Sequence, residues 1–354
     1  MTVQKALICT LGPSSLKEGV IAQLEATGVT SFRINMSHTD IADLEGVIHF
    51  IQECTKVPIC IDTEGAQIRT GVMNDGVAVL EGSQVRLVPE AIQGNATTIP
   101  LTPGSAIDRL EPASRMSIDF DSVILRIDKV ADGVAEATVL TGGEVGSRKA
   151  VTAFPSPHLP TFSEKDLLAI RFAIRNQVHE FDLSFCDHQN AVSRLREMIG
   201  PKDAIIAKIE SREGVRNLGE IAQYADGILI DRGDLSREVR LEAIPLLQKA
   251  IIRKANAVGT PVYVATNLLE SMVTRRTPTR AEVNDVINTL LDGANGLVLA
   301  AETAIGKYPV EAARMIAALL REYEGSIEGY HLDDLLGDHP LSVDRPPHGE
   351  SSRS

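Results

Sequence analysis

Tryptophan is absent from the 354 residues, and aromatic residues make up only 4% of them. A core built from this chain is therefore aliphatic, as in parallel sheets buried on both faces. Cysteine is scarce too. The four cysteines (Cys9, Cys54, Cys60 and Cys186) show no CxxC pairing and fall mostly in apolar, strand-like contexts. That spacing argues against a disulfide scaffold and reads as buried free thiols in a reducing compartment. No apolar run reaches the ~18 residues of a membrane span, and residues 1–30 lack a basic-then-apolar signal pattern. Cationic charge is in deficit, with 35 Lys and Arg against 48 Asp and Glu and a net charge of −13. Nucleic acid or an anionic membrane is thereby disfavoured as the main partner, although a local basic site for phosphate stays open. The expectation is a soluble cytoplasmic protein acting on small molecules.

What is present is a long, regular alternation. At 44% hydrophobic residues, the chain suits one α/β domain of about 250 residues with an insertion, or two domains. The stretch from Asp203 to Asp234 sets the pattern. Two apolar runs, Ala204–Ala207 and Gly227–Ile230, each end in charge: Lys208 and Glu210 after the first, Asp231, Arg232 and Asp234 after the second. A helical segment, 214–224, lies between them. In parallel α/β folds such strand ends face one way and ligands bind there.

The same unit recurs along the chain. Strands are expected at Lys5–Thr10, Ser31–His38, Val57–Thr63, Phe181–Phe185, Ala204–Lys208, Gly227–Ile230, Pro261–Thr266 and Gly296–Ala300. Ser14 or Ser15 is a candidate cap for the first helix, and the second is expected over 41–54. Residues 71–158 break the rhythm with short β-like runs and turn signals such as Asn74-Asp75-Gly76 and Gly142-Gly143. The sequence thus predicts a (β/α)8 barrel with a small β-rich lid domain inserted after strand three. An open doubly wound sheet is the alternative. The expected divisions are barrel 1–70, lid 71–158, barrel 159–330 and a flexible tail 331–354, with Phe154–Pro160 as the return hinge.

On a barrel, Thr10, Arg33, Asn35, Asp62, Lys208, Glu210, Asp234, Thr266 and Glu302 would meet at one face. Carboxylates suit a hard divalent ion, cations suit a phosphate or carboxylate, and hydroxyls orient a substrate. Each residue also has a plain structural explanation. Asn35 could cap a turn, Thr266 could satisfy a backbone group, and Glu302 could pair with Arg280 or Lys307.

The motifs that carry a resemblance are spread over the chain. They include Cys9-Thr10-Leu11-Gly12-Pro13-Ser14-Ser15, Arg33-Ile34-Asn35-Met36-Ser37-His38, Asp62-Thr63 with Ile68-Arg69-Thr70-Gly71, and Ser163-Glu164-Lys165-Asp166. Ala207-Lys208-Ile209-Glu210, Arg232-Gly233-Asp234-Leu235, Ala265-Thr266 and Glu302-Thr303-Ala304 follow in order. In these the chain resembles the pyruvate kinases. The resemblance implies phosphoryl transfer from phosphoenolpyruvate to ADP, giving pyruvate and ATP, and it is compatible with a homo-oligomer. It implies Glu210 and Asp234 as ligands of Mg²⁺ or Mn²⁺, and Lys208 and Arg33 as neutralisers of the phosphoryl group. Thr266 and the backbone N–H groups of Gly233 and Asp234 would hold the substrate carboxylate. Asn35, Ser37, Asp62 and Thr63 would form a K⁺ site, and Arg69, His38 and Lys149 would face the nucleotide phosphates.

The chain departs from the family in several places. Asp62-Thr63-Glu64-Gly65-Ala66-Gln67 stands where the family has Asp-Thr-Lys-Gly-Pro-Glu, so a cation becomes an anion, and Gln67 matches neither the K⁺-dependent nor the K⁺-independent pattern. Ala150–Pro155 replaces the family's Gly-Val-Asn-Leu-Pro-Gly. Asp231 stands where Ala is usual, adding negative charge or a further ligand, and Asn267 replaces Gln. The family's carboxy-terminal regulatory domain is expected to be missing, and with it sugar-phosphate activation, so hyperbolic kinetics are expected. The alternatives are a metal-dependent enolate lyase or aldolase acting on pyruvate or oxaloacetate, and a non-catalytic protein derived from the kinase.

Overall fold

The structure, a computed structural model, describes residues 5–326 except 66, 90, 91, 120 and 158. The tail expected over 331–354 lies outside the described residues, as does His158 of the expected hinge.

Three strands open the chain: β1 (Ala6–Leu11), β2 (Ser31–Asn35) and β3 (Ile59–Asp62). Nine follow in the insertion. These are β4 (Ile68–Thr70), β5 (Ala78–Val79), β6 (Gln84–Pro89), β7 (Thr98–Thr102), β8 (Arg115–Ile118), β9 (Val123–Ala131), β10 (Val134–Thr141), β11 (Gly143–Glu144) and β12 (Ala150–Phe154). Five more complete the chain: β13 (Glu180–Leu183), β14 (Ala204–Ile209), β15 (Gly227–Asp231), β16 (Val262–Ala265) and β17 (Gly296–Leu299).

Strands β1–β3 and β13–β17 pair in parallel and close into an eight-stranded barrel, with β1 beside β17 and β3 beside β13. The chain is a (β/α)8 barrel, and the open-sheet alternative is set aside. The insertion forms its own closed barrel, in the order β10-β6-β7-β4-β12-β8-β9, mostly antiparallel. Only β6 and β7 run parallel there.

Local chemistry explains the elements. Strand β14 is apolar apart from Lys208 and almost entirely buried, because helices cover its outer side and the barrel lumen its inner side. The helix Glu164–Arg175 starts at a capping box in which Ser163 and Asp166 exchange hydrogen bonds, and Thr279 and Glu282 do the same for Arg280–Leu291. Ser211 caps the helix Arg212–Tyr224. Phe32, Ile61, Phe181, Ile228 and Leu297 belong to the layer between barrel and helices. Ile8, Ile206, Leu229, Ala265 and Val298 form a separate cluster. Full burial of each such Leu or Ile contributes about 1.5–3 kcal/mol. The inserted barrel has a third core, with Leu87, Ile99, Leu125 and Ile127 fully buried.

Some expectations are corrected. Neither Ser14 nor Ser15 caps the first helix, which runs Glu18–Glu25 with Lys17 at its cap position. Ser15 instead accepts a hydrogen bond from the Gly12 N–H and closes a tight turn. That turn lies against Ala304, whose carbonyl oxygen would sit 2.7 Å from a Cβ at position 12, so glycine is required there. The second helix begins at Leu44 rather than 41, because Asp40–Asp43 is used in a turn. Of the four thiols, Cys54 is only half-buried. Among the described residues, no helix is long and apolar enough to cross a membrane.

Candidate active site

The carboxyl ends of the eight barrel strands converge on one mouth, and Lys208 lies at its centre. The side chain leaves β14 among acidic and hydroxyl groups. Its Nζ is 2.9 Å from Asp62 Oδ1, 2.9 Å from Ser184 Oγ, 2.9 Å from Glu210 Oε1 and 4.0 Å from Asp231 Oδ2. Burial would lower the lysine's pKa, but Asp62, Glu210 and Asp231 outweigh it and hold the ammonium well above the usual lysine range.

Arg33 lies deeper. Nε donates to Thr10 Oγ1 at 2.9 Å, and Nη1 is 3.2 Å from Asp62 Oδ2 and 3.6 Å from Asp182 Oδ2. These contacts are close enough for ion pairing, but Nη1 is not aligned for a hydrogen bond. The two carboxylates titrate apart. Burial raises Asp62, but Lys208 and Arg33 outweigh it and bring it below the usual range. Burial and the Asp62 charge push Asp182 up to about 6.

Glu210, Asp231 and Asp234 form the other half of the mouth. One carboxylate oxygen from each lies within 4.8 Å of the others. Burial first, then Asp234 and Asp231, push Glu210 up to about 8 against the pull of Lys208. Burial and Asp231 also raise Asp234. Three hard oxygen donors crowded together suit a divalent cation, which would relieve the mutual repulsion. Glu210 Oε2 also accepts the Phe185 N–H at 2.6 Å, which fixes the side chain.

Beside this cluster lies a small cradle of donors. The Gly233 N–H donates to Thr266 Oγ1 at 2.9 Å and to Asp231 Oδ1 at 3.2 Å. The Asp234 N–H reaches the same Asp231 oxygen at 3.4 Å, and the Thr266 hydroxyl lies 3.1 Å from it, with the Ala265 carbonyl as a second acceptor at 2.7 Å. Thr266 and Asn267 both have positive φ, 66° and 54°. For a β-branched residue that backbone is strained, and such strain persists only where the surroundings impose it. Here Arg232 imposes it. Its Nε and Nη2 both donate to the Thr266 carbonyl, at 3.1 and 2.7 Å, while Nη1 is 2.7 Å from Asp285.

The remaining sequence candidates are spread around the rim. Asn35 and Asp62 are register partners across β2 and β3, and Asn35 Oδ1 accepts the Ser37 N–H at 2.8 Å. Thr63 is turned toward β13, donating to the Asp182 carbonyl and accepting the Ser184 N–H. Arg69 donates to Gln67 Oε1 and to the Arg148 carbonyl. Lys149 is ion-paired with Asp119 at 2.8 Å within the inserted barrel. His38 is exposed, and among the described residues no hydrogen bond or ion pair joins it to Arg69 or Lys149. Glu302 makes neither suggested ion pair. It is buried and accepts the backbone N–H groups of Leu269 and Ala300, so it is a scaffold residue. Thr10 serves as a prop for Arg33.

Sequence reasoning missed Asp182 and Ser184. Their signal was there: they alternate with Phe181 and Leu183, which places both on one face of the expected strand Phe181–Phe185. It also missed Asp166, whose carboxylate accepts the Glu64 and Gly65 N–H groups and holds the loop after β3. No local pattern marks Asp166 for that role, since a capping box already accounts for it.

The chain is similar to known proteins over most of its length. A family model described as "Pyruvate kinase, barrel domain" matches residues 3–313. A pyruvate kinase of Geobacillus stearothermophilus is 36% identical over 91% of this chain and 57% of its own length. One from Thermococcus litoralis is 35% identical over 92% of this chain and 71% of its own length. Pyruvate kinase PKLR of Rattus norvegicus is 36% identical over 96% and 63%. The chain thus spans roughly three fifths of the length of these curated relatives.

Proposed function

The chain belongs to the pyruvate kinase family, and from that premise we propose that it transfers the phosphoryl group of phosphoenolpyruvate to ADP, giving pyruvate and ATP. Glu210 and Asp234 would hold the divalent cation, Mg²⁺ or Mn²⁺, which when bound would supply charge neutralisation for the phosphoryl group. Lys208 stands beside it as the second positive charge and faces the transferring group. Phosphoryl transfer needs positioning and charge neutralisation more than covalent help, and a buried, fully charged lysine provides both.

In this reading the Thr266 hydroxyl and the N–H groups of Gly233 and Asp234 orient the substrate's carboxylate. Arg33, locked between Asp62 and Asp182, adds positive potential from below. Asn35, Ser37, Asp62 and Thr63 serve a K⁺ ion, and Arg69, His38 and Lys149 serve the nucleotide phosphates. Lys149 reaches them only by leaving Asp119.

One observation carries the reading: a buried lysine ammonium 2.9 Å from Glu210, at the edge of a three-carboxylate cluster. The test is a pyruvate-coupled assay with Mg²⁺, ADP and K⁺. Pyruvate formation dependent on both nucleotide and metal is expected. No pyruvate above background with several nucleoside diphosphates would overturn it. Carbon–carbon cleavage without nucleotide would replace it with a lyase.

A further inference from the structure

The cradle already holds a carboxylate. Asp231 Oδ1 accepts from the Gly233 N–H and the Asp234 N–H and lies 3.1 Å from the Thr266 hydroxyl, whose single proton has the Ala265 carbonyl nearer at 2.7 Å; these three groups are the ones assigned above to the substrate. One anionic oxygen fills the space within reach of these groups, and a second cannot share it. The other oxygen, Oδ2, looks across the mouth, 4.0 Å from Lys208 Nζ. The same carboxyl group is a member of the cluster with Glu210 and Asp234. Asp231 therefore stands between two sites, the donors on one side and the candidate cation ligands on the other.

The plain alternative is a turn cap, since Asp is favoured at such positions. Capping by itself accounts for the two backbone contacts, which are long at 3.2 and 3.4 Å. It does not account for the approach to Lys208 and the acidic cluster.

We infer that Asp231 is a specificity-determining residue that exchanges between two positions: a resident competitor for the substrate's carboxylate in the cradle, and a third protein ligand of the divalent cation when it leaves. This rests on the functional reading above. Cation binding draws the carboxylate out of the cradle and opens it, so metal and carboxylate ligand bind with positive coupling through this one side chain. The coupling has a physical source, because each ligand favours the Asp231 position that the other also favours.

The experiment measures binding, not turnover, on the full chain. Mn²⁺ is titrated without substrate by its paramagnetic resonance signal. Pyruvate is titrated by calorimetry, once with chelator and once with saturating Mn²⁺. Wild type is compared with Asp231→Ala and with Asp231→Ser, which keeps a capping oxygen without the charge. If the cradle is open in about a tenth of wild-type molecules without metal, metal-free pyruvate affinity rises about tenfold in both variants. Mn²⁺ affinity falls about tenfold as one charged ligand is lost, and the enhancement of pyruvate binding by Mn²⁺ shrinks. A change in only one of the two affinities, or in neither, in a variant with a wild-type circular dichroism spectrum overturns the exchange. So does an absence of pyruvate binding in every protein at every metal level. An inactive protein whose Mn²⁺ and pyruvate affinities shift as stated would instead overturn phosphoryl transfer and leave the exchange standing.

Discussion

Lys208 Nζ lies 2.9 Å from Glu210 Oε1, and both side chains are almost fully buried at the barrel mouth. Lys208 lies on β14 and Glu210 directly follows the strand's last residue, two positions on, and the two side chains meet on the same side of the chain. A cation and a cation ligand are thereby fixed side by side, and their roles are separable by mutation.

Replacing Lys208 with Met should lower phosphoryl transfer by about 10³-fold or more, the scale seen when a preorganised charge is removed. Mn²⁺ binding should survive, because Glu210 and Asp234 remain. The same change leaves Asp62 without its closest cation and should cost about 3 kcal/mol of stability. Turnover, Mn²⁺ titration and thermal unfolding on one preparation decide this. Near-normal turnover would mean that the phosphoryl group meets another residue.

Replacing Glu210 with Gln removes a charged ligand and should raise the Mn²⁺ concentration for half-maximal activity by about tenfold or more. At saturating metal, activity should partly return. Unchanged metal affinity in this variant would place the divalent site elsewhere.

Asp182 provides a test by pH. Its carboxyl is raised to about 6 by burial and by Asp62, whereas in the unfolded chain an aspartate titrates near about 3.9. The folded state then holds a proton that the unfolded state has released. The contribution of Asp182 to stability is fully present below about pH 4 and is lost as pH rises through about 6. Asp62, shifted downward, acts in the opposite sense: its contribution is lost on acidification. Comparing wild type with Asp182→Asn separates the two. Relative to the variant, wild type should lose melting temperature between pH 4 and 7. A constant difference across that range would show that Asp182 does not titrate there.

Arg232 should act on substrate binding without touching substrate. Its fork to the Thr266 carbonyl and its pair with Asp285 hold Thr266 at φ 66°. Lysine cannot reproduce two parallel donors. Arg232→Lys should raise the KM for phosphoenolpyruvate several-fold with a smaller loss of kcat, and lower stability by about 1–3 kcal/mol. An unchanged KM would show that Thr266 keeps its place without the clamp.

Several features were legible from residues alone, for local reasons. Apolar runs such as Ala204–Ala207, closed by charge, mark strands whose polar ends lie at a mouth. Ser163 with Asp166 marks a helix start by chemistry within one turn. Turn signals after Gly71 mark the change from helical to β rhythm. Strand ends were overextended at Met36–His38 and at Val57–Pro58, because hydrogen bonding to neighbours, not side-chain type, ends a strand.

What the sequence could not decide was which group each ionisable residue meets. Lys208 is 146 positions from Asp62 and 24 from Ser184, and those contacts exist only because the barrel closes with β3 beside β13 and β13 beside β14. The register Asp62↔Asp182 sets the shared clamp on Arg33, and a slip of one residue would turn either carboxylate to the opposite face. Asp231 shows the division most clearly. Its identity as an added negative charge at the mouth is written in the chain. That the charge lies beside Thr266, 35 positions away, is not, because the two residues come together only when β15 pairs with β16.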